Sequence, residues 1–280
     1  MSRLFLTALL VAVTLVTGCA RQDSLDRILD RGELRVVSRN SPTTWYIDKN
    51  GPTGFEYALA GMFARELGVE LAVSPAFSIA ELFTVLSRGE VDFAAAGLTL
   101  TGARQDNFPH SVAYYSLTPQ VVYRAGTFRP RSLADLAGMD MVVLGDSSHA
   151  EALAALREGG YPELRWRELE AVDSMVLLEQ VNGQRAELAI IDSNEFEVQQ
   201  RLYPRLKVAF DLGSDQEMVW YLPPGQDNKR LLARINDFLV SRESDGTLEL
   251  LRERFFGHSR IVSRIGSHTF SRNMRSKLPE

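Results

Sequence analysis

The chain of 280 residues is poor in the features that mark several functional classes. Cys19 is its only cysteine, so it forms no internal disulfide, and cysteine-based zinc modules are excluded. The four histidines, His110, His149, His258 and His268, show neither an HExxH spacing nor any close pairing, and neither a metal nor a cofactor is expected. No apolar run approaches the roughly 20 residues that span a bilayer as a helix. Lys and Arg number 31 against 36 Asp and Glu, for a formal net charge of −5, and they form no dense cluster, so nucleic acid is not an expected partner. Gly-rich phosphate loops and low-complexity tracts are also missing. Ser147, Ser148 and His149 adjoin in sequence, which is not the geometry of a nucleophile and its base. Glu195 and Glu197, one residue apart on a helix, point to different faces and are expected to be a solvated pair rather than paired glycosidase carboxylates.

The residues that are present begin with an export signal. Arg3 and the free amino terminus precede an apolar core from Leu4 to Val16 and the small pair Thr17-Gly18, the layout of a secretory signal peptide over residues 1–18. A single exported thiol without a disulfide partner needs another use. Val16-Thr17-Gly18-Cys19 resembles the lipobox of bacterial lipoproteins, which implies cleavage before Cys19 and lipidation of its sulfur. Val16 stands where Leu is commonest in that motif. Ala20 follows the cysteine where Asp would signal inner-membrane retention, so the resemblance favours the outer membrane of a Gram-negative cell, on its periplasmic face. Stable anchoring would need at least two acyl chains.

Hydrophobic residues at 45% and charged residues at 24% are ordinary globular proportions, and the exported chain is long enough for one large or two small domains. Residues 33–40 predict a strand on Leu34, Val36 and Val37. Phe55, Leu59, Met62, Phe63 and Leu67 then recur at helical spacing until Gly68. A second strand, a helix capped by Ser78 with Leu82, Val85 and Leu86 on one face, and a third strand in "VDFAAAGLTL" complete the rhythm of a parallel sheet covered by helices. The rhythm restarts at "DMVVLGDSSHAEALAALREGG" and runs through "AIIDSNEFEVQQRLY". Two more strands and two helices split near Asp245-Gly246 follow. The sequence therefore predicts an α/β, bilobal fold of type II, two parallel-rich sheets flanked by helices with a hinged cleft between them. The expected boundaries are a tether over 19–32, a first lobe from 33–124 plus 214–257, a second lobe over 125–213, and a linker over 258–280.

"GPTGFEYALAGMFARELGV", "LSRGEVDFAAAGLTLTGAR" and "INDFLVSRESDGTLELLRERFFG" together resemble the type 3 solute-binding proteins, from about Leu34 to Gly257. The stretches "RNSPTTWYIDKNGPTGFEYALA", "GDSSHAEAL", "IIDSNE" and "FFGHSRIVSRIGSHTFSRNMRSKLP" are similar to the regulatory domain of the membrane-bound lytic transglycosylase F group, in which such a module precedes a lysozyme-like domain. That resemblance implies a ligand-sensing module for an amino acid or muropeptide. The alternative is a stand-alone amino-acid-binding lipoprotein of a transporter. The expected partners are a small zwitterionic ligand or muropeptide, the membrane through Cys19, and peptidoglycan with a lytic transglycosylase domain. The only acid after Gly257 is Glu280, so the chain as written is expected to be non-enzymatic, with no catalytic residue.

The resemblance also nominates a site. In solute-binding relatives a Thr and an Arg of one loop hold the ligand carboxylate, and the matching positions are Thr99, Thr101 and Arg104; a guanidinium fork suits a carboxylate. Here Gly102-Ala103 stands where Pro-Glu is usual, and Ala95-Ala96-Gly97 offers a close backbone approach. The alternative is a surface Arg after a turn. Ser147 and Ser148 open a helix whose free N–H groups suit an anion, or act as a plain cap. Asp192 matches the acid kept for the ligand ammonium, or it caps the next helix with Ser193. Trp45 and Tyr46 match an aromatic loop that packs on ligands, or they close one end of the core.

Overall fold

Strands of alternating and fully apolar pattern set two larger sheets, of three and five strands, beside two small two-stranded ones. The computed structural model describes residues 22–171 and 173–257; the signal segment, Cys19 and the 258–280 linker lie outside them. In chain order the strands are β1 (Glu33–Arg39), β2 (Tyr46–Asp48), β3 (Gly51–Thr53), β4 (Glu70–Ala76), β5 (Phe93–Ala94), β6 (Tyr115–Leu117), β7 (Pro119–Arg124), β8 (Met141–Leu144), β9 (Trp166–Leu169), β10 (Leu188–Asp192), β11 (Leu206–Asp211) and β12 (Gln216–Met218). The first sheet has the order β4-β1-β5 and is wholly parallel. The second has the order β11-β7-β10-β8-β9, with β10, β8 and β9 parallel and β7 and β11 antiparallel to their neighbours.

The first sheet takes its cover from the helices predicted on it. Phe55–Leu67 buries Phe55, Leu59 and Phe63, and the last two helices, Lys229–Ser244 and Thr247–Phe256, bring Phe238 and Leu248 to the same core. Trp220 sits at its centre, stacked on Phe93 with ring centroids 4.7 Å apart. Ser78 caps Ile79–Ser87, accepting from the Glu81 N–H at 3.0 Å. The second core is aliphatic, with Val122, Val142, Leu177, Leu178 and Ile191 between its sheet and helices.

Two expectations need correction. The tether over 19–32 contains the helix Ser24–Arg31, whose Leu25 and Ile28 are buried in the first core; their apolar area drives it against β1 and the helix Lys229–Ser244. The first crossing lies earlier than residue 125, because β7, whose Val121 and Val122 are completely buried, pairs with β10 and β11. The crossing therefore runs through Thr118, beside the return near residues 212–215. The third strand of the first sheet, Phe93–Ala94, runs into the small-residue loop expected after it, in which Gly97 holds φ +62°.

The sheets meet at their strand ends. Ile79 belongs by sequence to the first lobe yet packs in the second lobe's apolar cluster, and Phe83 of the same helix touches both. Among the described residues no helix is long and apolar enough to cross a membrane.

Candidate functional site

Parallel strands deliver their carboxyl ends to one rim, where α/β sheets place ligands. Arg39 ends β1, Gly145 to Ser147 follow β8, and Asp192 ends β10. These segments line a cavity of about 30 Å³ between the lobes.

Arg104 is the central side chain. The short helix Gly102–Gln105 starts at Thr101, whose hydroxyl accepts from the Arg104 N–H at 3.3 Å. Arg104 donates to the Thr99 carbonyl at 3.3 Å, and across the cleft to the Asp146 carbonyl at 2.9 Å. Its Nε lies 3.4 Å from Glu151 Oε1, and its guanidinium stands 5.1 Å from the Phe83 ring centre. Burial lowers the Arg104 pKa, against the opposing pull of Glu151. Asp146 holds a positive φ of 54°, uncommon for a residue with a Cβ, and so belongs to a strained turn beside Arg104.

Facing Arg104 is the helix Ser148–Glu158. Ser147 caps it, accepting from Ala150 N–H at 3.2 Å and donating to Leu144 O at 2.6 Å. The cap leaves the N–H groups of Ser148 and His149 without helical acceptors, beside the cavity that both residues line. His149 Nε2 lies 3.1 Å from Asp192 Oδ1 without the geometry of a hydrogen bond. Asp192 occupies the cap position of Ser193–Gln199 but makes no capping bond. Asp192 Oδ1 and His149 Nδ1 are buried and have no hydrogen-bond partner among the described residues.

Thr99, Arg104, Ser147, Ser148 and Asp192 thus line one cavity. Thr101 does not line it; it works as the cap. Trp45 and Tyr46 are half-buried, Tyr46 opening the hairpin of β2 and β3, and neither lines the cavity.

Sequence reasoning missed three groups here. Arg39 and Glu195, 4% and 3% exposed, form an ion pair of 2.7 Å across the lobes, which corrects the solvated reading of Glu195. The helix face carrying Glu195 is turned into the cleft, while Glu197 is half-exposed on another face. The close approach at Gly97 serves Arg39, which donates to Ala96 O at 2.7 Å; a Cβ on Gly97 would stand 3.1 Å from Arg39 Nη2. Glu56, 1% exposed, accepts from Gly97 N–H at 3.0 Å, from Trp220 Nε1 at 2.9 Å and from the Tyr114 hydroxyl. Burial raises its pKa, and those three donors oppose the rise. Two signals were legible: Arg39 ends an apolar strand, and Glu56 shares a helix face with Ala60 and Phe63. Among the described residues no group of three or more His, Cys, Asp or Glu is placed to hold a metal ion.

Residues 34–258 match the family model described as bacterial extracellular solute-binding proteins, family 3. Curated relatives named membrane-bound lytic murein transglycosylase F include that of Ectopseudomonas mendocina (strain ymp), 42% identical over 281 residues, covering 98% of this chain and 57% of the relative. That of Pseudomonas syringae pv. tomato is 42% identical over 258 residues, covering 92% and 52%. The chain corresponds to their N-terminal part and spans about half their length. Among solved structures, an ancestral arginine-binding protein bound to glutamine superposes with a TM-score of 0.71 at 24% identity, covering 81% of this chain and 99% of that one. The arginine-bound form of truncated ArgBP from T. maritima gives 0.68 at 24%, covering 77% and 99%. At such identity these likenesses establish the fold alone.

Proposed function

The chain belongs to the bacterial extracellular solute-binding proteins of family 3, and from that premise we propose that its cleft binds an amino acid or a short muropeptide-like ligand to regulate peptidoglycan cleavage by a lytic transglycosylase. One observation carries the ligand reading: Arg104 of one lobe faces a capped helix start and a buried carboxylate, Asp192, of the other. A ligand carboxylate suits Arg104 and the N–H groups of Ser148 and His149; a ligand ammonium suits Asp192 Oδ1. A ligand touching both lobes favours closure, because it gains contacts only in the closed state. With about 30 Å³ free, entry requires the lobes to open and the Arg104 contacts to Asp146 and Glu151 to yield.

The regulatory part of the proposal rests on the transglycosylase relatives. We place the lobes at 22–118 plus 213–257 and at 119–212, with the chain held to the periplasmic face of the outer membrane through lipidated Cys19. The assigned role is binding, and no catalytic step is given to these residues. The amino-acid-binding structural neighbours support a second reading, a transporter's binding lipoprotein.

Thermal unfolding with free amino acids and with muropeptides tests both. A true ligand at a hundred times its Kd stabilises by about 2.7 kcal/mol. Arg104→Ala and Asp192→Asn should abolish that gain. Muropeptides binding more tightly than free amino acids supports the regulatory reading, and the reverse order supports the transporter one. No stabilisation by either class, or full stabilisation of Arg104→Ala, refutes the cleft assignment.

A further inference from the structure

Two arginines and two acidic side chains line the cleft, and each lobe supplies one type. Arg39 and Arg104 come from the first lobe, Asp192 and Glu195 from the second. The binding of an amino-acid backbone uses Arg104 and Asp192. Arg39 and Glu195 are left over by it, and they answer each other: Nη2 to Oε1 is 2.7 Å, with both side chains almost wholly buried. Arg39 Nε is also held by Ala96 O at 2.7 Å, and Thr43 Oγ1 lies 3.4 Å from the same Glu195 oxygen. The charged groups acting on Arg39 include Glu195, Asp192 and Asp173, with Glu56 and Arg104 also within its field. Burial works to lower its pKa, but these carboxylates hold it above the ordinary value.

We propose that the Arg39–Glu195 pair makes the cleft select ligands whose side chain carries no net charge. This inference rests on the amino-acid reading of the cleft. Both ions have already lost their water and are mutually satisfied, so a neutral side chain leaves the pair closed. A lone carboxylate on the ligand competes for Arg39 and strands Glu195 as a buried, unpaired charge. A lone ammonium or guanidinium competes for Glu195, taking from Arg39 its ion-pair partner and adding a second cation beside it. Breaking one side of a buried pair costs far more than the pair itself contributes, so the penalty falls on the charged ligand. Such discrimination by stranded groups exceeds what pocket size achieves. The preference would set the chain apart from structural neighbours named for arginine.

The test is calorimetric titration of the full chain with L-glutamine, L-glutamate and L-arginine near neutral pH. The wild type should bind glutamine at least about tenfold more tightly than either charged ligand. Arg39→Gln leaves Glu195 as a lone carboxylate and should improve arginine relative to glutamine by about tenfold. Glu195→Gln removes the carboxylate of the Arg39 ion pair and should do the same for glutamate. The double variant Arg39→Gln/Glu195→Gln has no charge to strand and should narrow the wild-type gap to within about threefold, even if either single variant fails to fold. Wild-type binding of glutamate or arginine as tight as glutamine overturns the inference, as does a double variant that keeps the wild-type discrimination. Equal shifts of all three ligands in both single variants overturn it too, since they mark a merely structural pair. No binding of any amino acid refutes the amino-acid reading itself, and the inference falls with it.

Discussion

Replacing Glu56 by Leu should destabilise the first lobe through the donors it orphans rather than through lost volume. Leu fills nearly the same space on a helix face already shared with Ala60 and Phe63, all buried. The Trp220 indole N–H, the Gly97 N–H and the Tyr114 hydroxyl would each lose an acceptor in the interior. A buried donor left unsatisfied costs about 1–3 kcal/mol. Against that total stands relief from burying the carboxyl, worth several kcal/mol for an ion. The net expectation is a loss of about 2–4 kcal/mol, which lowers Tm by roughly 4–15 °C for a domain of this size. The decisive assay is a double-mutant cycle by thermal and urea unfolding with Tyr114→Phe. In the wild type that change removes a hydrogen bond to an acid, at a cost of about 1.5–3 kcal/mol. In the Leu background it removes an orphan instead, so the double variant should be at least as stable as Glu56→Leu. If Tyr114→Phe costs the same in both backgrounds, the hydrogen-bond account is refuted.

Further outcomes follow from the same geometry. Burial raises the Glu56 pKa from its ordinary 4.5, so above that value the folded chain holds a proton that the unfolded chain has lost. Stability from this group therefore falls as pH rises through the interval, and the wild type minus Glu56→Gln difference should grow on acidification towards 4.5 and level off below it, as read by urea midpoints. Ile28→Ala should cost about 2–5 kcal/mol in chemical unfolding, as for any fully buried aliphatic residue, whereas a tether residue would cost nothing. Gly54→Ala should abolish or severely weaken folding, read by circular dichroism, because φ is +125° and the new Cβ would stand 2.2 Å from the Thr44 carbonyl oxygen.

The two-lobed α/β architecture was legible because apolar periodicity and stop signals are local. Leu34, Val36 and Val37 announce a strand, Phe55 to Leu67 a helix, and Asp245-Gly246 a break, all where the structure has them. Part of the cleft was legible by another route: the family resemblance matched Thr99, Arg104 and Asp192, and the start of a helix after an apolar strand marked Ser147 and Ser148. The sheet to which β7 belongs was not, since Gln120-Val121-Val122 reads as a strand in either lobe, and only long-range pairing with β10 and β11 assigns it. Nor could local pattern reveal that Ser24–Arg31 is a packed helix, because only two of its three buried residues, Leu25 and Ile28, are apolar, and two in eight make a thin stripe.

What the sequence determined by itself was therefore the set of elements, with the export signal and the ligand-binding residues as expectations. Only the tertiary structure decided which charges are spent on each other. Arg39 and Glu195 stand 156 positions apart, and Glu56 and Trp220 are 164 apart. Electrostatic pairing in a buried cleft depends on distance and lost water, and neither quantity is written in the spacing of residues along a chain.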